Sequence, residues 1–224
     1  MTFYKHLLYS LLFSYFVFVH HSHAQSKWSL GPAAGASYNI LQKDKFDNFD
    51  PGLGYQAGLS TMHFFTPHWF VSAGLSYTKK SFTLTGIPDT RYIFSGGGIQ
   101  YYSMKYSYSY LSLPLEVGYS FFDLADHKLS IIASGGIVLN VLLYEKLKSK
   151  DLEPAFSDNA TNNSFSATAI ASIGLLYNIS PRLFLMVSPR YSYDFYASKT
   201  NNSPDDLRFQ SLSLNTSLQY RLGK

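Results

Sequence analysis

The chain has 224 residues, 46% hydrophobic and only 14% charged, with 18 Lys and Arg against 14 Asp and Glu for a net charge of +4. The charged fraction lies well below the roughly 25% of an ordinary soluble domain, and so small a basic excess gives no support to nucleic-acid binding. No cysteine is present, which excludes disulfides, thiolate metal sites, cysteine nucleophiles and a lipid-bearing cysteine.

At the N-terminus, Lys5, the apolar run Leu7 to Val19 and Ser22-His23-Ala24 before Gln25 have the three parts of a secretory signal peptide. The run is short for a membrane span. The expectation is a signal peptide over 1–24 and one domain over 25–224. No later apolar run is long enough for a membrane helix.

From Lys27 the apolar residues fall on alternate positions. Trp28, Leu30, Pro32, Ala34, Ala36 and Tyr38 oppose Ser29, Gly31, Ala33, Gly35 and Ser37, the period-two pattern of a strand with one apolar face. Ile40 to Pro51 reads as a loop by its turn chemistry. A second strand covers Gly52 to Phe65, with Leu53, Tyr55, Ala57 and Leu59 on its apolar face, and Thr66-Pro67-His68 makes a tight turn. Trp69, Val71, Ala73, Leu75 and Tyr77 mark the third strand, and the stretch from Gly86 to Ser103 is expected to be a loop.

Strand four, Tyr106 to Phe121, sets Leu111, Leu113, Leu115, Val117 and Tyr119 against Ser112, Pro114, Glu116, Gly118 and Ser120. After a turn over Asp123 to His127, strand five runs from Lys128 to Tyr144 and strand six from Ser164 to Ile179. Ser180-Pro181-Arg182 leads into strand seven, Leu183 to Phe195, and Leu207 to Leu222 is strand eight. In the last strand Leu212, Leu214, Leu218, Tyr220 and Leu222 oppose Ser211, Ser213, Asn215, Ser217, Gln219 and Arg221.

Eight such strands, joined by alternating long and short connections, predict an all-β fold: an eight-stranded antiparallel up-and-down transmembrane β-barrel with apolar residues outward and both termini periplasmic. Aromatics support this from position alone. Trp28, Trp69, Tyr119, Phe121, Tyr177 and Tyr220 fall at short-turn ends, and Tyr38, Tyr77, Tyr106, Tyr144, Tyr191 and Tyr193 near long-loop ends. A soluble barrel of the same strand count would instead carry charges outward and oil within, whereas the face opposite the oil is here Gly, Ser, Ala, Asn and Thr.

Few residues carry chemistry. His6, His20, His21 and His23 lie in the expected signal peptide, and His63, His68 and His127 lie near the short turns, so the long-loop end lacks a His base of the kind a surface hydrolase needs. Asp44, Asp47, Asp50, Asp151, Glu153 and Asp158 match no calcium-loop spacing, and Gly96 to Gly98 precedes no helix, which argues against a phosphate loop. No catalytic residue, metal or cofactor is expected. Glu116 and Arg190 face inward at comparable heights and are expected to pair across the lumen, with Arg221 as the alternative partner of Glu116. Lys79, Lys80, Lys105, Lys146, Lys148 and Lys150 gather at or above the outer girdle, where phosphates of outer-membrane lipid are their expected partners, with ordinary loop solubility as the equal alternative.

Tyr110-Leu111-Ser112-Leu113-Pro114-Leu115 followed by Gly118-Tyr119 resembles the strand motif of the Bacteroidetes-type outer-membrane β-barrel family that includes PorT-like proteins. The Gly31 to Gly35 segment, the Ala24-Gln25 junction and Arg190-Tyr191 are similar to it too. The resemblance implies an integral outer-membrane location and a structural or interaction role, with an accessory role in protein secretion, and so a secretion or envelope protein partner, as the alternative; a surface enzyme acting on lipid is the weaker reading. It also implies a C-terminal aromatic residue read by the barrel assembly machinery. Here the chain closes on Leu222-Gly223-Lys224, which leaves Tyr220 for that part.

Overall fold

A computed structural model describes residues 28–41, 49–88, 101–124, 128–149, 165–197 and 208–223. The expected signal peptide, the Gly96 to Gly98 run, His127, Lys150 and every singled-out carboxylate of the loops except Asp50 lie outside the described residues.

The period-two segments become eight strands: β1 (Trp28–Leu41), β2 (Phe49–Phe64), β3 (Trp69–Pro88), β4 (Tyr101–Leu124), β5 (Leu129–Ser149), β6 (Phe165–Asn178), β7 (Leu183–Ala197) and β8 (Phe209–Leu222). Each pairs antiparallel with its neighbours in chain order, and β1 pairs with β8 from Trp28↔Leu222 to Leu41↔Phe209, closing the barrel. Closure leaves no strand edge unpaired, which a wall in hydrocarbon requires because no water is there to satisfy free N–H and C=O groups.

Two tight connections owe their shape to hydroxyl side chains. Thr66 Oγ1 accepts from the Trp69 amide at 2.8 Å, and the Leu183 amide donates both to Ser180 Oγ at 3.1 Å and to the Ser180 carbonyl at 3.2 Å, side-chain acceptors of the kind that favour turns.

The outer wall is the apolar face. Leu53 is 78% exposed, Leu59 58%, Ile173 58% and Leu212 57%, values that recur around the barrel and mark a surface for lipid rather than water. Trp69, Tyr119 and Phe121 form an edge-to-face aromatic chain at the short-turn end, with ring centroids 4.9 and 5.0 Å apart. Tyr38, Tyr144, Tyr191 and Tyr193 stand exposed toward the other end. Tyr106 does not join them: it packs inside on Phe82, centroids 5.0 Å apart and rings nearly parallel at 3°.

Strands β3, β4 and β5 have 20, 24 and 21 residues, about twice the 9–11 that a tilted strand needs to cross a membrane. The two ends of the expected loop, Gly86 to Pro88 and Tyr101 to Ser103, are therefore strand, and residues 89–100 lie outside the described residues. Neither end alternates apolar with polar residues, and without that alternation the period-two signal disappears. Gly86, at φ 73°, sits where the register between β3 and β4 shifts, a backbone position at which a side chain is strained.

Candidate functional site

The interior is the only place where described charged residues are buried together. Inward positions carry Lys80, Arg190 and Arg221 against Glu116, Glu145 and Asp194, and these groups lie in layers between two apolar plugs.

At the short-turn end Met62, Phe70, Ile132, Leu176 and Phe184 are buried, with Phe64 and Met186 against them. The Phe70 ring occupies the space beside Gly118, where an added Cβ would stand 2.1 Å from the ring. Arg221 lies with its guanidinium 5.0 Å from the centroid of Phe184, and donates to Asn178 Oδ1 and Pro181 O, both at 2.8 Å. It closes this end and has no contact with Glu116.

Above that plug Arg190 Nη2 donates to Glu116 Oε1 at 2.5 Å, with both side chains about nine-tenths buried. Ser134 Oγ donates to Glu116 Oε2 at 2.8 Å and shares a 2.7 Å bond with Ser172 Oγ. The pair joins β4 to β7, three strands apart around the barrel.

A second ion pair was not visible in the sequence as a pair. Lys80 Nζ donates to both oxygens of Asp194, at 2.9 and 2.8 Å, with the residues 6% and 2% exposed. Asp194 also accepts from Thr168 Oγ1 at 2.5 Å and from the Phe209 amide at 3.1 Å. Asn140 Nδ2 donates to Thr168 Oγ1 at 2.9 Å, and Ser112 Oγ donates to Asn140 Oδ1 at 2.7 Å, so the chain of bonds reaches from β3 to β8. Four acceptor contacts on one carboxylate compensate for its burial.

Lys80 therefore cannot meet lipid, which corrects its expected place at the outer girdle. Its neighbour Lys79 does face outward, 6.0 Å from the Tyr55 ring. Successive side chains of a strand point to opposite faces, so the two lysines could never share one, and Lys80 continues the inward row of Ser76 and Thr78. Lys105, Lys146 and Lys148 are exposed on the outer wall.

The upper plug packs Leu41, Phe82, Tyr108, Leu142 and Phe209, with Phe49, Leu84, Tyr106 and Tyr110 around them. Tyr108 Oη donates to Glu145 Oε1 at 2.9 Å. Glu145 reaches the interior through a bulge: Ser109 pairs with Tyr144 while Tyr110 pairs with Leu142, so Leu143 is extra and both Leu143 and Tyr144 face out. Past it the parity of β5 inverts, turning Glu145 inward and Lys146 and Lys148 outward. Between the layers remains a chamber of about 50 Å³, bordered by Lys80, Arg190, Gln56, Asn39 and Asn140, room for about three waters.

No group of three or more His, Asp or Glu among the described residues is placed to hold a metal ion. What the arrangement provides is a set of cross-braces, neutral in sum, that tie opposite walls of the barrel together.

Residues 23–198 match the family described as outer membrane protein β-barrel domain. No curated protein matches the sequence. Among solved structures the fold is similar to Neisserial surface protein A, at 13% identity over 88% of this chain and 98% of that one, with a TM-score of 0.51. OprG from Pseudomonas aeruginosa matches at 10% identity over 89% and 98%, TM-score 0.48, and Ail of Yersinia pestis at 13% over 87% and 99%, TM-score 0.45. Identities this low speak to fold alone. With the family model covering most of the chain and the barrel closed around a packed interior, the protein belongs to the outer-membrane β-barrel domain family and is an integral outer-membrane protein.

Proposed function

We propose that this barrel is a filled, non-catalytic module with a structural or interaction role, with both termini periplasmic and the long connections at the cell surface. The observation that carries the reading is the interior, where two apolar plugs flank a pair of buried ion pairs among the described residues, and eight strands enclose little more than side chains. Glu116–Arg190 and Lys80–Asp194 act as locks that hold one packing of the lumen. The walls of β3, β4 and β5 continue past the membrane and give partners a rigid surface to meet.

Purified protein in planar bilayers is expected to show no steady ion conductance; large, stable steps would overturn the filled-interior reading. For orientation, a single cysteine replacing Asp158, between β5 and β6, is unique in this chain. It is expected to react with a membrane-impermeant maleimide on intact cells, and labelling only after lysis would invert the assignment.

A second reading is favoured by the Tyr110 to Leu115 motif on β4, whose likeness to PorT-like proteins suggests an accessory part in secretion across the outer membrane. Loss of secreted proteins from the medium of a deletion strain, restored by the wild-type gene, is its test.

A further inference from the structure

We infer that the outer wall of β3, β4 and β5 is a binding site for a phosphorylated glycolipid of the outer leaflet. The inference rests on the orientation proposed above.

The site is built from three adjacent strands. Lys79 pairs with Ser109 and Ser109 with Tyr144, while Lys105 pairs with Lys148 and Ser107 with Lys146. Because Lys79, Lys105, Lys146 and Lys148 all occupy outward positions, these pairings bring four cations onto one wall. Among the described residues none of the four has a carboxylate at ion-pair distance. The acid of this wall, Asp50, lies in the row of Thr83 and Lys105, two strands or roughly 10 Å from Lys105.

Just below the lysines Tyr77 Oη donates to Ser109 Oγ at 2.8 Å and shares a 2.7 Å bond with Tyr144 Oη, a hydroxyl cluster on the outside of the barrel. Further down the same strands the outward side chains turn apolar: Leu111, Leu113 and Leu115 on β4, Val141, Leu139 and Ile137 on β5.

Read down the wall, the order is cation, hydroxyl, then alkyl. An amphiphile with phosphate on a polar head and acyl chains below has the complementary order, and lysines at a membrane surface attract such phosphates. Free phosphate would use the lysines and leave the apolar wall without a role. Among the described residues the outer ends of β6 and β7 present Phe165, Tyr191, Tyr193 and Phe195 instead.

The test compares full-length protein with the Lys105→Gln/Lys146→Gln/Lys148→Gln variant. These side chains face outward and are exposed, so the variant should fold, as a heat-dependent gel shift would show; a triple Lys→Arg variant keeps the charge and serves as the second comparison. Each protein is reconstituted in phosphatidylcholine nanodiscs doped with bisphosphorylated or dephosphorylated lipid A, extracted into detergent, and its retained lipid counted by native mass spectrometry. The expected result is a preference of about tenfold or more for the phosphorylated lipid, lost in the Gln variant, kept in the Arg variant and weakened by salt. Equal retention of both lipids, or an unchanged preference in the Gln variant, overturns the site. Displacement of bound lipid by inorganic phosphate at matched concentration also overturns it, by showing that the lipid part contributes nothing. An inverted topology would appear in the cysteine labelling and leave these retentions unchanged, so the two failures are separable.

Discussion

Lys79 and Lys80 are adjacent in sequence and end on opposite sides of a wall one residue thick. Lys79 faces outward beside the Tyr55 ring, and Lys80 is buried against Asp194. Burying a charge is tolerated only when a partner and further hydrogen bonds compensate for lost water; the Lys80–Asp194 pair meets that condition with four contacts on Asp194, while Glu116–Arg190 leaves the buried Arg190 Nε without a partner. Removing one member of the Glu116–Arg190 pair by Glu116→Gln or Arg190→Gln should cost about 3–5 kcal/mol, with the double variant much less affected than the sum. Urea unfolding in lipid measures this cycle, and additive losses would show that the two do not interact in solution. Gly118→Ala is predicted to lose about 1–3 kcal/mol by overpacking against Phe70, a loss that Phe70→Leu should partly restore in the same assay.

The decisive element is the bulge in β5. By uninterrupted alternation, Asn140 and Leu142 inward would put Lys146 and Lys148 inward as well, and Glu145 out among lipid. The extra residue Leu143 inverts the parity, and a one-residue change of register moves every following side chain to the other face. Deleting Leu143 is therefore predicted to remove the bulge and leave Leu142 inward, Tyr144 outward, Glu145 inward and both lysines outward in plain alternation with the β4 register unchanged. The expected readout is a folded band kept on unheated gels, and its loss would show that Leu143 is not the extra residue. A second shift, between Ala167 and Thr168, pairs Thr168 with Asp194 and so sets the acceptor side of the Lys80 pair.

For the molecule as a whole, closure and depth make the tests. A closed barrel without free edges should resist SDS in the cold and shift its mobility on boiling; identical mobility before and after boiling would speak against closure. Depth should grade the cost of charge on the outer wall. Leu115→Arg, near the middle of β4, is expected to lose about 2–4 kcal/mol, against about 0–1 kcal/mol for Tyr220→Arg at the interface. Equal losses in lipid would mean that the wall does not lie across the bilayer as described.

The sequence by itself determined the strand count, the outward face and the antiparallel order, because a membrane wall imposes one requirement, apolar on every second residue, and that requirement is local. Leu212 to Tyr220 in β8 and Leu111 to Tyr119 in β4 state it residue by residue. The inward placement of Glu116 and Arg190 follows from the same parity, and their shared height follows from counting residues up from the turns. What only the tertiary structure decided is where parity breaks and which distant strands meet. No local pattern announces the extra Leu143, so the inward turn of Glu145 could not be read. The plug residues Phe70, Phe184, Phe82 and Phe209 are apolar on the otherwise polar side and look like noise in each strand, yet closure stacks them into layers. Asp194 and Lys80 lie 114 residues apart, and their contact depends on the curvature of the whole wall, which sequence periodicity does not encode.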